Sequence, residues 1–286
     1  NGTYKVGDAI TVTTTFSDNV TVSGTPQMVL TTSNNSGISS SLKFDGPNEQ
    51  VNFGDITAIE GLANMSIAFW VKFADLSSIM TILSKGDFSI GISKGANELY
   101  AQKLNENSFR GFWNGAITGS SALSINTWYH VAVVLNTGNV PYIYVNGILK
   151  GSAGQAMAGN SVSNSDNILI GGGSEYYFEG EIDELAFWKT GLNSSNIKAL
   201  YNSGLIMNYK SDSGDYTSSS NLVGYWKFNE KTGSTTADYS TNNNNGTITS
   251  ASWSDASPLN KRTKINYTSG SGANTLSFSY TIASED

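Results

Sequence analysis

The sequence contains no cysteine, which excludes disulfide bonds and thiolate metal sites. It also contains no run of about 18 apolar residues, so no segment predicts a membrane-spanning helix. No signal peptide pattern is visible either. We therefore expect no membrane insertion, while the lack of cysteine leaves secretion open.

Positive charge is in the minority. The chain has 16 Lys and Arg against 23 Asp and Glu, which gives a net charge of −7. Sequence-independent nucleic-acid binding needs a basic surface, so we expect no nucleic-acid partner. Hard cations such as calcium prefer carboxylate and carbonyl oxygens, so the composition is compatible with a calcium site.

Histidine is almost absent too, since His130 is the only one. A Ser-His-Asp arrangement would have to use it. His130 lies inside the apolar run WYHVAVV, where a packing or hydrogen-bonding role is expected.

Turn-forming residues are what the sequence has in abundance. Glycine occurs 30 times and proline 4 times in 286 residues, while hydrophobic residues are 38%. Many strands joined by polar turns have this composition, and the apolar fraction is sufficient for a large core. The length fits one large all-β domain or two domains.

The stretch 178–204 predicts a strand, a loop and a short helix. Residues 181–188 alternate polar and apolar side chains, the pattern of a half-buried strand. Ser194 or Ser195 is the predicted N-cap of an amphipathic helix, and Gly204 is its predicted end.

Three earlier segments also predict strands. Residues 66–73 alternate strictly, and residues 127–135 are apolar on both faces, as in a central strand. Asn146 and Gly147 between two apolar runs predict a hairpin with a type I′ turn.

These segments carry a family resemblance. SLKFDGPNEQVNFGD at 41–55, MSIAFWVKF at 65–73, the run 126–151 and GEIDEL at 180–185 stand in the same order as in the laminin-G-like, concanavalin-type β-sandwich family. From about residue 40 to 204 the chain resembles that family. The resemblance implies a jelly-roll sandwich.

The two ends carry a different pattern. Strand patterns at 9–16 and 26–32, and YTSGSGANTLSFSYTI at 267–282, resemble Ig-like repeats of very long bacterial adhesins. The resemblance implies an Ig-like host domain split into 1–33 and 261–286, with a laminin-G-like domain inserted at 34–260. Such insertion is tolerated where the ends of a domain lie close together. We expect further host strands outside this chain, which would be one part of a longer multidomain protein.

Residues 225–248, YWKFNEKTGSTTADYSTNNNNGTI, resemble a segment that commonly stands at the start of the family's sandwich. Here the segment follows the predicted helix. It is either a permuted edge of the same sandwich or the remnant of a second repeat. Permutation is favoured because too few residues remain for another sandwich.

A calcium site is implied by the family at the Asn-rich turn 238–246. A carboxylate among Asn and Ser residues can offer several of the six to eight oxygens that calcium takes. The alternative is a polar turn without an ion. The residues to which the resemblance assigns the site are Asp238, Asn243, Asn245 and Asp183, with Asp45 as a weaker addition.

A glycan site is predicted from aromatic residues that strand burial does not explain. Sugar rings present apolar faces to which aromatic side chains can pack. The alternative is ordinary packing at the rim of the sandwich. The candidate residues are Trp113, Tyr176, Tyr177, Arg110 and Asn114.

A glycosidase would need two carboxylates on one face of the GEIDEL strand. Laminarinase-type enzymes, which share the sandwich, place a further acidic residue where this chain has Leu185 or Ala186. Glu181 and Asp183 share a face, whereas Glu184 is expected on the opposite one. The catalytic pair is incomplete, and we expect no enzymatic activity.

The sequence thus predicts an all-β chain in which a concanavalin-like jelly-roll sandwich is inserted into a partial Ig-like sandwich. The family implies calcium-supported binding of a surface glycan by a monomeric module of an extracellular, cell-surface adhesin. Two alternatives stay open, a spacer without a ligand and a module that binds a host-surface protein or peptide. Fold analogy carries this choice, because the family hosts many functions.

Overall fold

The computed structural model describes residues 5–31, 39–62, 64–93, 98–103, 114–117, 123–136, 140–152, 164–172, 176–204, 207–258 and 262–282. The chain folds as two compact units, which we call the split unit (residues 1–36 with 259–286) and the sandwich unit (residues 37–258). The described residues contain no helix that is long and apolar enough to cross a membrane.

Strands dominate both units. In chain order they are β1 (Ala9–Val20), β2 (Gln27–Thr31), β3 (Ser41–Phe44), β4 (Gln50–Asn52), β5 (Met65–Phe73), β6 (Met80–Lys85), β7 (Phe88–Ile92), β8 (Leu99–Lys103), β9 (Asn114–Ile117), β10 (Trp128–Asn136), β11 (Val140–Val145), β12 (Ile148–Ser152), β13 (Ile168–Ile170), β14 (Gly180–Trp188), β15 (Leu222–Trp226), β16 (Thr235–Thr236), β17 (Gly246–Thr249), β18 (Ser252–Ser254), β19 (Arg262–Ser269) and β20 (Ala273–Thr281). The α-helix of the described residues is α1 (Ser194–Tyr201).

The split unit forms one antiparallel sheet in the order β1-β20-β19-β2. Ile265, Leu276, Phe278 and Tyr280 are the buried centre of its apolar face. The predicted alternation of β1 fails at Phe16, which is exposed. The Ig-like identity of this unit stays a prediction.

The sandwich unit consists of two eight-stranded sheets. Sheet I has the order β12-β11-β10-β5-β14-β3-β18, with β15 paired to β14, and sheet II has the order β16-β17-β4-β13-β6-β7-β8-β9. A continuous apolar core fills the space between them. β15, β17 and β18 pair with β14, β4 and β3, so residues 222–254 belong to this same sandwich.

The alternation of β5 decides which side chains enter that core. Ile67, Phe69, Val71 and Phe73 lie between the sheets, as predicted. β10 pairs along the whole of β5 and is apolar on both faces, which confirms the predicted central strand.

The outer face of sheet I is covered by α1. Ala132, Ala68 and Ala186 stand directly opposite one another on β10, β5 and β14, and this row of small side chains leaves room for the helix. Ile197 and Leu200 pack onto it. Covering this face buries all of β14, which the alternation alone predicts to be only half-buried.

Two details of the helix differ from the prediction. The N-cap is Asn193, whose side chain accepts a bond from the amide of Asn196, rather than Ser194 or Ser195. The helix ends at Tyr201, because Asn202 adopts a left-handed conformation two residues before Gly204.

The hairpin between β11 and β12 is confirmed. Asn146 and Gly147 have φ angles of 50° and 78°, as a type I′ turn requires. Residues 246–254 form two strands, β17 and β18, on either side of Ser250, which has a φ of 60°.

The two ends of the sandwich unit lie side by side. The hydroxyls of Ser39 and Ser257 are 2.7 Å apart, although 218 positions separate them. A domain with adjacent ends can stand inside a loop of another domain.

Candidate functional site

The GEIDEL strand brings three carboxylates to the outer side of sheet I. Glu181 forms an ion pair with Lys72 at 2.5 Å and accepts hydrogen bonds from the hydroxyls of Ser41 and Ser254. Every acceptor oxygen of this side chain is therefore bound to the protein itself.

Asp183 is 0% exposed. Its carboxylate accepts bonds from the Ser257 hydroxyl at 2.8 Å and the Glu184 amide at 2.9 Å. Burial raises the pKa of Asp183 well above its usual range, and the neighbouring carboxylate of Glu184 adds to that rise.

Glu184 does not lie on the face that strict alternation predicts. The pairing of β14 with β5 shifts register between Asp183 and Ala186, and Glu184 has a φ of 52°. This bulge turns its carboxylate to the Tyr225 hydroxyl, which donates a hydrogen bond to it. Glu184 is 3% exposed, and burial raises its pKa to about 7.

The segment after β14 closes over these carboxylates. Tyr209 and Tyr225 have ring centroids 4.7 Å apart, and Tyr209 and Tyr216 pack in the same outer cluster as α1. A glycosidase needs two carboxyl groups that reach the scissile bond of a sugar. In the described part of the chain, the three carboxylates of this strand are instead buried and bonded to other groups of the protein.

Asp238 organises the Asn-rich turn by itself. One carboxylate oxygen accepts from the amides of Tyr225 (3.0 Å) and Ser240 (2.8 Å). The other accepts from the hydroxyl of Ser240 (2.8 Å) and the amide of Asn244 (2.9 Å). A carboxylate offers about four lone-pair positions, and all four are in use here.

This turn satisfies the free edge of β15. The carbonyl of Val223 accepts bonds from the side-chain amides of Asn242 (2.8 Å) and Asn244 (3.0 Å). The amide of Tyr239 donates to the carbonyl of Tyr225 at 2.7 Å. A strand edge needs such partners, so the Asn-rich composition has a structural cause.

The remaining residues assigned to calcium have other partners. The Asn245 side chain accepts from the amide of Asp238, Asn243 is exposed with a φ of 58°, and Asp45 pairs with Lys43 at 2.6 Å. The described residues contain no group of three acidic or histidine side chains that could hold a metal ion. As arranged, Asp238 and Asp183 do not fit a calcium ion, and calcium at this turn stays a prediction.

Two of the residues assigned to a glycan site, Tyr176 and Asn114, lie far apart. Tyr176 is 47% exposed, and its carbonyl accepts from the amide of Thr81 near one end of β6. Asn114 lies opposite Lys103 on the neighbouring strand. Across the next two strands this position lines up with Lys85, at the other end of β6. Four residues along a strand and three strand spacings put the two positions roughly 20 Å apart.

Tyr177, next to Tyr176, is half-buried. Arg110 and Trp113 lie outside the described residues, so their part in a glycan site stays a prediction.

His130 is 0% exposed and stacks edge-on against Trp70, with ring centroids 5.3 Å apart. Neither ring nitrogen has a hydrogen-bond partner in the described structure. Burial lowers the pKa of His130 to about 3, so the ring is neutral at physiological pH. The predicted packing role is confirmed.

A polar cleft lies where the turn 238–242 faces the segment before β15. Its volume is about 230 Å³, and its lining residues are Lys210, Ser219, Ser220, Leu222, Ser240 and Thr241. Tyr239, which immediately precedes Ser240, is 38% exposed and carries the Lys227 amine 5.0 Å from its ring centroid.

Sequence reasoning missed this cleft because residues 208–220 show a polar composition without alternation or a binding motif. The available signal was two hydroxyl-rich runs, one before β15 and one after Asp238-Tyr239. Their convergence depends on the chain reversing between them.

The superfamily is established by direct comparison. Residues 44–198, more than half of the chain, match the family described as the concanavalin A-like lectin/glucanases superfamily. The chain therefore belongs to that superfamily.

Individual relatives share the fold over part of their length. C-reactive protein 1.4 of Limulus polyphemus is 28% identical over 181 residues, which are 57% of this chain and 72% of that protein. A Bacteroides ovatus protein to which carbohydrate binding is provisionally ascribed superposes with a TM-score of 0.53 at 18% identity. That superposition covers 76% of this chain and 60% of the other.

Proposed function

We propose that the sandwich unit is a non-catalytic carbohydrate-binding module. The observation that carries the proposal is the hydroxyl-lined cleft on a sandwich of the concanavalin A-like lectin/glucanases superfamily. The exposed Tyr239 immediately precedes Ser240, which lines this cleft. The burial of Glu181, Asp183 and Glu184 supports binding without catalysis.

The chemistry of the cleft suits a saccharide. Ser219, Ser220 and Thr241 offer hydroxyls that can both donate and accept hydrogen bonds, as sugar hydroxyls do. Leu222 supplies an apolar wall, and the exposed ring of Tyr239 can pack against the C–H face of a sugar.

In the wider proposal the module acts in adhesion. It would be a monomeric part of a longer extracellular adhesin that binds a glycan on a cell or surface. The resemblance of residues 1–33 and 261–286 to Ig-like repeats supports this setting. Calcium dependence of the binding is a separate prediction. The hydrogen bonds already made by Asp238 favour glycan binding that survives chelation.

A glycan array probed with and without a chelator tests the proposal. We expect binding to a defined class of saccharide. Loss of that binding with chelator would restore a calcium-supported site. The absence of binding to any glycan would overturn the proposal and leave a protein ligand or a spacer role.

Two alanine variants locate the site. Tyr239→Ala removes the exposed ring that precedes Ser240, and Tyr176→Ala removes another exposed ring elsewhere as a matched control. We expect at least about a fivefold loss of affinity in the first and none in the second. The reverse result would place the glycan at Tyr176 instead of the cleft.

A further inference from the structure

The cleft contains one formal charge among its lining residues, the ammonium of Lys210. The other lining residues are four with hydroxyl groups and Leu222. A lysine amine offers three hydrogen-bond donors and no acceptor, so its preferred partner is a negatively charged oxygen.

No carboxylate of the described residues forms an ion pair with Lys210. Lys43, Lys72, Lys85 and Lys231 all have acidic partners within 4 Å, whereas Lys210 has none in this part of the chain. Its charge is therefore available to a molecule that enters the cleft.

Two acidic side chains near the cleft would oppose an anion. Asp238 accepts bonds from Ser240, which lines the cleft. The other is Asp212. Its carboxylate accepts the amide of Ser219 at 2.9 Å, and this bond lowers the pKa of Asp212. Asp212 thus stays negatively charged near Ser219, which lines the cleft. It would repel an anion that Lys210 attracts.

A second cation accompanies Tyr239, the residue that precedes Ser240. The Lys227 amine lies over the rings of Tyr239 (5.0 Å) and Tyr225 (5.5 Å). The exposed ring next to Ser240 therefore carries positive charge at its side as well as apolar area.

We propose that this cleft selects saccharides that carry an anionic group, held by the Lys210 ammonium. The inference rests on the proposed carbohydrate-binding function and narrows it to acidic glycans. A carboxylate and a sulfate ester satisfy the same ammonium, so both sources belong to the predicted class.

Calorimetric titration with matched polysaccharides tests the inference. The full chain is titrated with polygalacturonate and its carboxyl-reduced form, and with a sulfated galactan and its desulfated form. We expect at least about fivefold tighter binding to one or both acidic polymers than to the neutral partner, a difference that added salt reduces. The polymer that shows the difference identifies carboxylate or sulfate as the natural group.

Four variants assign the effect to the cleft. Lys210→Gln should abolish the acidic preference, Lys210→Arg should keep it, and Asp212→Asn should increase it about twofold. Lys150→Gln makes the same charge change on β12, five strand spacings from β15, and should leave the preference intact.

The outcomes separate this inference from the proposed function. Equal binding of acidic and neutral polymers, unaffected by Lys210→Gln, would overturn the acidic preference and leave carbohydrate binding standing. A preference that Lys150→Gln also removes would overturn the assignment to the cleft. No binding to any saccharide would overturn both proposals.

Discussion

Replacing Glu184 by glutamine should make the sandwich unit more stable above neutral pH. The side chain is buried at a strand bulge, where its pKa is about 7 in the folded chain against 4.5 for an ordinary glutamate. Glutamine keeps the size and the oxygen that accepts the Tyr225 hydroxyl bond, and it removes the charge.

The sign follows from proton binding. The folded chain holds the Glu184 proton at pH values where the unfolded chain has lost it. The stability linked to this group is therefore fully present below about pH 4.5 and is lost as pH rises through about 7. The full difference corresponds to about 3 kcal/mol, which coupling to Asp183 spreads over both carboxylates.

His130 produces the opposite dependence. Its pKa is about 3 when folded against 6.5 when unfolded, so its contribution is lost as pH falls below 6.5. Between about pH 4.5 and 6.5 these two slopes oppose each other, each at ~1.4 kcal/mol per pH unit. Asp183 adds a second falling slope, because burial raises its pKa too. The Glu184→Gln variant should therefore lose less stability with rising pH across that range than the wild type does.

Urea unfolding followed by tryptophan fluorescence measures this unit selectively, because all six tryptophans lie between residues 70 and 253. At pH 8 we expect Glu184→Gln to raise the free energy of unfolding by about 2–3 kcal/mol, and at pH 4.5 by far less. Glu179→Gln, at a half-buried position on the same segment, is the control and should change little. Equal unfolding free energies of wild type and Glu184→Gln at pH 8 would refute the reasoning.

Three further predictions concern the same unit. His130→Phe should remove the acid sensitivity that His130 causes, so that the free energy of unfolding in urea falls by ~2 kcal/mol less between pH 6.5 and 5. An unchanged acid profile would contradict the lowered pKa of His130. Asp238→Ala should lower the free energy of unfolding by about 2–4 kcal/mol, because it leaves the buried amide of Tyr225 without its partner. A chelator should not change the wild-type melting temperature, and a chelator-induced drop would show an ion at the turn. Ala68→Leu should cost at least about 1–3 kcal/mol by pushing α1 off the alanine row, whereas Ala199→Leu, on the half-buried side of the helix, should be milder; calorimetric melting compares the two.

Local patterns predicted much of the sandwich. The alternation of Ile67, Phe69, Val71 and Phe73 sets which face of β5 enters the core, and the Asn146-Gly147 pair sets the hairpin. Both depend on residues within one strand or one turn, where side-chain period and backbone conformation are fixed locally.

The candidate site was less accessible to the same reasoning. Alternation places Glu184 on the wrong face, because the bulge that turns it depends on pairing with β5 and on the Tyr225 hydroxyl. The Asn-rich turn suggested an ion, because its sequence shows a carboxylate among polar groups and does not show the strand edge that consumes them.

The all-β class, the strand periodicity and the membership of the superfamily can therefore be inferred from the amino-acid sequence. The packing of α1 on the alanine row, the burial of the carboxylates of β14 and the convergence of Lys210 and Ser240 on one cleft follow from the tertiary fold. Periodicity and turn chemistry act between residues that are close in the sequence. Burial and convergence depend on segments that approach each other only after the chain has folded.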